Sequence, residues 1–553
     1  MRKYPLRLLL RLGDFARVIL CFALLLSTAV ATRVERLIDT WKPTHYLVNI
    51  TLNDQLSEIT SASTRVYVKI LKPTHVIDLD FGELTIDRIT LDSKPVKFTH
   101  ADGKLLVDLP SPGKVGDSIV LTIDYHGKPK NGLILTKDKD GKPSAVGDNW
   151  PNRVHHWIPS LDHPSAKATV TFNITAPAGQ EVVANGRLDH VETSSGGQRT
   201  WTFSESAPIP PYCMIIAVGQ FAREVPTQSS VTPLSYYVPQ SEKQLALKGF
   251  APTNSTVEFF TKTIAPYPYE KLAMIVGATS FGGMENSSAI VFTANMLSRP
   301  AQSSGVSKTY GIPAANVGLI AHEIAHQWFG DSVTESTWAD LWLSEGFATY
   351  FGNLFVQRYE GEDVFQLYMK QAATNVFAFE KKKLTPIHDR ETEDLMDLLN
   401  AMNYQKGAWV LHMLRSNLGD EAFFRGIRNY YAAHKNSTAS TEDLRRALEK
   451  ASGRDLRAFF TRWVYDSGHP QYELRWQWLH QSELKLVLRQ IQSGNAFLDP
   501  VQVVITTASG KRDVLLKPSG KQLIQTIRLN DKPLSIDIDP QNVLLDEATV
   551  KGI

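Results

Sequence analysis

One pentapeptide constrains this chain more than anything else in it. His322-Glu-Ile-Ala-His326 lies among Val317, Leu319, Ile320, Ala321, Ile324, Trp328 and Phe329, so the pattern predicts a helix over residues 316–330 that is buried on nearly every side. Imidazoles four residues apart sit about 40° apart around a helix and can reach one ion, with Glu323 beside them. Burying two histidines and a glutamate costs several kcal/mol unless each finds a metal or a hydrogen bond.

A second apolar helix is expected over residues 339–359. It carries a carboxylate, Glu345, 19 positions after His326. Two nitrogens and one carboxylate leave the fourth tetrahedral position of Zn²⁺ open for water, the arrangement of a catalytic site. A closed structural site would need a fourth side chain, and no thiol is at hand: the chain has two cysteines, Cys21 near the N-terminus and Cys213, which reads as a buried core thiol. The expectation is one zinc ion on His322, His326 and Glu345, with Glu323 as general base for amide hydrolysis without a covalent intermediate. Asp340 has two readings of equal weight, orienting a ligand histidine from behind or capping a helix N-terminus.

The remaining sequence organises around that pair of helices. With 43% hydrophobic and 21% charged residues the 553-residue chain is globular rather than disordered and long enough for two to four domains. Its 59 basic and 57 acidic residues give a net charge of +2, so no field favours nucleic acid, which is excluded as a partner. Arg2, Lys3, Arg7, Arg11 and Arg17 precede the apolar run at 18–26, and Ala29-Val-Ala31 follows. This is the pattern of a signal peptide over 1–31, cut after Ala31. It predicts an exported protein, periplasmic or secreted, or membrane-anchored if the leader stays. No later run is apolar enough to span a bilayer.

Period-two patterning, as in Tyr46-Leu-Val-Asn-Ile50 and Val170-Thr-Phe-Asn-Ile174, marks a β domain over 32–225. Helical periodicity follows over 226–468, with a capping box at Ser440-Thr-Glu-Asp443. Alternation returns over 469–553, as in Leu484-Lys-Leu-Val-Leu488, and suits a small β-sandwich. The fold class expected is multidomain α+β.

Four ordered motifs then resemble a known family, the aminopeptidase N family of zinc metallopeptidases in the gluzincin clan, which also includes leukotriene epoxide hydrolase. They are Gly282-Gly-Met-Glu-Asn286, His322-Glu-x-x-His326, Glu345 within Trp342-Leu-Ser-Glu-Gly-Phe-Ala, and Asn403-Tyr-Gln-Lys-Gly407. The resemblance implies a β-saddle domain, a thermolysin-like catalytic domain and a C-terminal sandwich, in a short three-domain member. The large helical superdomain of many relatives is expected to be absent, with a more open entrance.

The resemblance also implies roles. Glu285 grips the free α-ammonium of peptide substrates, Gly282, Gly283 and Met284 line the path of the substrate backbone, and Tyr404 donates its phenol to the oxyanion. Met284 and residues 372–379 are expected as walls of the side-chain pocket. The sequence departs from the family in places. Gly283 stands for the usual alanine, and Trp150 for the usual Gln or Glu that helps hold the amine, so Asn149 or Asn152 substitutes or Glu285 works with less help. Competing functions are an endopeptidase, a lipid-epoxide hydrolase and an inactive peptide-binding module. Glu285 weighs against the first, because a desolvated carboxylate repels peptides that lack a free amine. The intact Glu323, metal triad and Tyr404 weigh against the last. No motif in the sequence sets an oligomeric state.

Overall fold

A computed structural model describes residues 33–227, 231–298, 305–479 and 482–552. The leader reading lies outside the described residues. No helix among them is long and apolar enough to cross a membrane.

The N-terminal part is built of strands. Trp41–Leu52 and Ile59–Ile70 pair antiparallel, with Val48 opposite Thr64, and Ala168–Ala176 runs parallel on the other side. They form the middle of an eight-stranded sheet. The alternation read from the sequence is literal, since Tyr46, Val48, Ile50 and Leu52 all point into the core and the residues between them face outwards. Smaller sheets of three and four strands complete this part.

The middle part combines a five-stranded sheet with helices. Leu234–Pro239, Leu272–Gly277 and Ala289–Thr293 run parallel. The two-residue strand Gly283–Met284 pairs antiparallel with Ala289–Thr293 and forms the outer edge. The described α-helices here are α1 (Lys243–Gly249), α2 (Pro252–Thr263), α3 (Ala314–His326), α4 (Trp342–Glu360), α5 (Glu362–Glu380), α6 (Gly407–Leu418), α7 (Asp420–His434), α8 (Thr441–Ser452) and α9 (Arg457–Phe460). The capping box on α8 is formed, with Ser440 N donating to Asp443 Oδ2 at 2.9 Å, and Gly453 ends the helix at φ +69°.

Two helix limits differ from the periodic reading. Helix α3 stops at His326 rather than continuing to 330, because the chain curls back there: Asp331 N donates to His326 O, and Gly330 sits at φ +120°. Helix α4 begins at Trp342, after a separate 3₁₀ turn at Trp338–Asp340. Apolar periodicity runs through both junctions, so it cannot mark them.

The C-terminal part packs the four strands Gln471–Leu479, Glu483–Gln490, Gln522–Arg528 and Glu547–Gly552 against the three strands Val501–Thr507, Gly510–Leu516 and Ser535–Ile538. Leu486 and Leu488 share an apolar core with Val503 and Ile505. That core is continuous with the helical one, joined where Trp463 meets Phe497 at 4.8 Å between ring centroids. The architecture is therefore multidomain α+β: a β-sheet-rich N-terminal part, a helical middle and a C-terminal sandwich.

Candidate active site

Helices α3 and α4 cross so that three donor atoms converge. His322 Nε2 and His326 Nε2 are 3.1 Å apart, and each lies 3.3 Å from Glu345 Oε2. No other hydrogen-bond donor reaches that oxygen. A tetrahedral ion with bonds of about 2.0–2.1 Å has donor-to-donor edges of about 3.3 Å, so this triangle has the size and the donor chemistry that fit Zn²⁺. Burial alone would raise the Glu345 carboxyl, yet the two imidazoles hold it down at about 2.

The orientation of His326 comes from an unexpected neighbour. Its Nδ1 faces Ser344 Oγ at 3.0 Å and Phe329 O at 3.2 Å, which leaves Nε2 turned into the donor triangle. Of the two roles expected of Asp340, the structure bears out helix capping, at a helix distant in sequence. Its Oδ1 accepts from Thr441 N at 3.0 Å and from Thr441 Oγ1 at 2.7 Å, so it holds the start of α8 instead of a ligand histidine.

Glu323 lies one residue along α3 from His322 and leans over the edge strand. A Cβ on Gly283 would meet its carboxyl at 2.4 Å, whereas a Cβ on Gly282 would touch only Leu319 methyls, at 3.8 Å. Glu285 ends the same strip, almost wholly buried. Burial, with Glu345 adding, pushes its carboxyl up to about 7 against the pull of His326. Burial likewise raises Glu323 well above the ordinary range.

Glu285 is fixed through its backbone. Its carbonyl accepts from Gln327 Nε2 at 2.9 Å, and the same amide nitrogen donates to Asp331 Oδ2 at 2.8 Å. Gln327 Oε1 accepts from Ser288 N at 2.8 Å and Tyr267 OH at 3.0 Å. Gln327 follows His326 directly, so one helix end holds both a member of the donor triangle and the Glu285 backbone.

Tyr404 stands on a π-turn, Met402–Lys406, that leads into α6. Its ring stacks on His322 at 5.9 Å and 8°, and its hydroxyl donates to Glu345 Oε1 at 2.8 Å. The phenol is thus at the donor triangle, already bonded to one of its members.

Gly283, Glu285, Glu323, Tyr404 and the three donor residues line one cleft of about 580 Å³. Trp150, Phe281, Met284 and Leu399 form its apolar wall. The expected wall at 372–379 is not there: α5 reaches the cleft one turn earlier, through Tyr368, while Ala372 and Val376 face the core. The candidate second amine anchors are also elsewhere. Asn149 has both ends of its side chain occupied in the core, donating to Met214 O and accepting from Trp157 Nε1 at 2.8 Å, and Asn152 lines a different depression. Of that segment, the tryptophan faces the cleft. His155 and His156 pair with Asp162 and Glu83.

Sequence reasoning missed Ser344 and Gln327. Each adjoins a motif residue, but neither adds to a periodicity or a ligand spacing, so adjacency was their only signal.

Comparison with known proteins is consistent along the chain. Residues 42–213 match the family model described as "Peptidase M1 N-terminal domain", and residues 250–463 match the one described as "Peptidase family M1 domain". Tricorn protease-interacting factor F2 of Thermoplasma acidophilum is 26% identical over 80% of this chain and 56% of its own length. Probable aminopeptidase 1 of Sulfurisphaera tokodaii is 28% identical over 73% of this chain and 51% of its own. Glutamyl aminopeptidase of Rattus norvegicus is 29% identical over 59% of this chain and 35% of its own. The chain spans about half the length of the first two and about a third of the last.

Proposed function

This chain belongs to peptidase family M1, and from that premise we propose that it is a zinc-dependent aminopeptidase, removing residues one at a time from peptides with free N-termini. The observation that carries the reading is Glu285: a buried carboxylate at the edge strand, in the same cleft as the three donor atoms. A carboxylate desolvated there needs a cation to face it, and the α-ammonium of a peptide lying along the strand edge supplies one.

His322, His326 and Glu345 would hold the ion. When bound, Zn²⁺ supplies Lewis acidity to the scissile carbonyl and a lowered pKa to water. The chain's own residues do the rest. Glu323, whose carboxyl leans over the bare edge strand beside the donor triangle, takes a proton from the attacking water and returns it to the leaving nitrogen as the C–N bond breaks. Tyr404 turns its hydroxyl from Glu345 to the developing oxyanion. Gly282 and Gly283 keep the strand edge bare for the substrate backbone. Residues 1–31, read as a leader, would place this activity outside the cytoplasm.

The test is hydrolysis of a short peptide against its N-acetylated twin, with and without a zinc chelator, for wild type and Glu285→Ala. Cleavage of the free peptide alone, abolished by the chelator and crippled by the substitution, is the expected result. Equal cleavage of both twins would make the enzyme an endopeptidase.

A further inference from the structure

Lys406 is fully buried, two residues after Tyr404 on the same π-turn. Its ammonium donates to Glu380 Oε1 at 2.7 Å, at the end of α5, and to Gly468 O at 2.9 Å, where the chain passes into the C-terminal sandwich. The other oxygen of Glu380 meets His469 Nδ1. His469 Nε2 meets Glu547 Oε2 at 3.2 Å, on strand Glu547–Gly552 of the sandwich, and Gln471 Nε2 also donates to that oxygen at 2.9 Å. Phe377 covers the His469 ring at 4.3 Å. A continuous polar chain therefore runs from a sandwich strand to the turn that carries Tyr404.

Such a chain is a poor device for stability alone. A buried ion pair can often be replaced by apolar side chains without loss, so its retention calls for a geometric reason. The π-turn offers one: Lys406 N reaches back five residues to Ala401 O at 2.8 Å, so Tyr404 stands on an irregular turn rather than within a continuous α-helix. The aim of Tyr404 depends on what grips the turn. Asn403 Nδ2 holds one side through Leu398 O at 2.8 Å, and Lys406 holds the other.

We propose that Lys406 is a positioning residue for Tyr404, and that the Glu380–His469–Glu547 chain behind it lets the C-terminal sandwich set the direction of the phenol. The inference rests on the aminopeptidase reading for its kinetic consequence. Its structural part stands apart, because Tyr404 also hydrogen-bonds Glu345 in the absence of substrate.

The experiment is a double-mutant cycle in the full chain, pairing Tyr404→Phe with Lys406→Met, Lys406→Arg and Glu547→Gln. Two quantities are read, kcat and KM on a free peptide, and zinc affinity by chelator competition. With the phenol present, Lys406→Met is expected to lower kcat about tenfold or more with KM within about twofold, and to weaken zinc about threefold. With Tyr404→Phe in place, the same change should move both by less than about twofold, because nothing remains to be aimed. Lys406→Arg should recover part of the loss, and Glu547→Gln, at the half-exposed end, should reproduce a smaller one. Equal losses in both backgrounds, or no loss in either, overturn the proposal. Should Lys406→Met fail to fold, the Glu547→Gln cycle decides by the same criterion. Absence of peptide cleavage by wild type would sink the aminopeptidase reading instead, and the zinc cycle would still judge the positioning.

Discussion

A side-chain carbon on residue 283 would stand 2.4 Å from the carboxyl of Glu323. The bare strand edge and the placement of the proposed base are thus one feature. Gly283→Ala requires Glu323 to move its flexible end, whereas Gly283→Val drives a branched side chain into the same space. Misplacing a catalytic group by about 1 Å can cost about 10²-fold. Gly283→Val is therefore expected to lower kcat on that scale, with alanine between it and wild type, while the melting temperature changes little. An unchanged kcat for valine would show that Glu323 is not held against this strand.

Ser344 predicts a defect in metal binding rather than in folding. Loss of a partner that orients a ligand histidine typically weakens metal about 10- to 100-fold. Ser344→Ala leaves His326 Nδ1 with only the Phe329 carbonyl, and chelator competition should report weaker zinc, with Ser344→Thr recovering most of it. Identical affinity in the alanine variant would remove Ser344 from the site.

The cleft wall predicts a substrate preference. Trp150, Phe281, Met284 and Leu399 belong to one apolar cluster, and among the described residues no Lys or Arg lines the cleft. An acidic first residue would bury its carboxylate there beside Glu285 without a partner. Peptides that begin with Leu, Met or Phe should exceed those that begin with Asp or Glu by about 100-fold or more in kcat/KM. A matched series of fluorogenic amino-acid amides would measure this, and comparable rates for glutamate would refute it.

How much of this was legible in the sequence follows the kind of signal each feature leaves. The donor triangle, Glu323 and the sheets carry spacing, and spacing survives in a string of letters. The cleft wall does not. Trp150, Leu399 and Tyr368 come from three separate segments, and only the packing of the β part against the helices brings them together. Asp340 was only half legible for a related reason: it does cap a helix, but that helix is α8, about a hundred residues away in sequence, while its own begins two residues further on.

The sandwich carries a pH response. Burial, with Asp539 and Glu547 adding, pushes the Asp546 carboxyl up to about 8. In the unfolded chain it ionises at about 3.9. Between these values the folded state binds the extra proton, so this group's contribution to stability is intact below the lower value and is lost as pH climbs through the upper one. Asp546→Asn should raise the melting temperature clearly at pH 8 and much less at pH 5. An equal gain at both would mean that the carboxyl ionises normally when folded.

Gln327 ties Glu285 to the end of the helix that also carries His326. In the proposed reaction this makes the span between amine anchor and metal a fixed gauge, its two ends clamped by one side-chain amide so that they cannot slide. Such a gauge measures bonds, not residues. A peptide that opens with a β-amino acid sets its first carbonyl one bond farther from its amine, and a gauge without play passes that peptide over uncut.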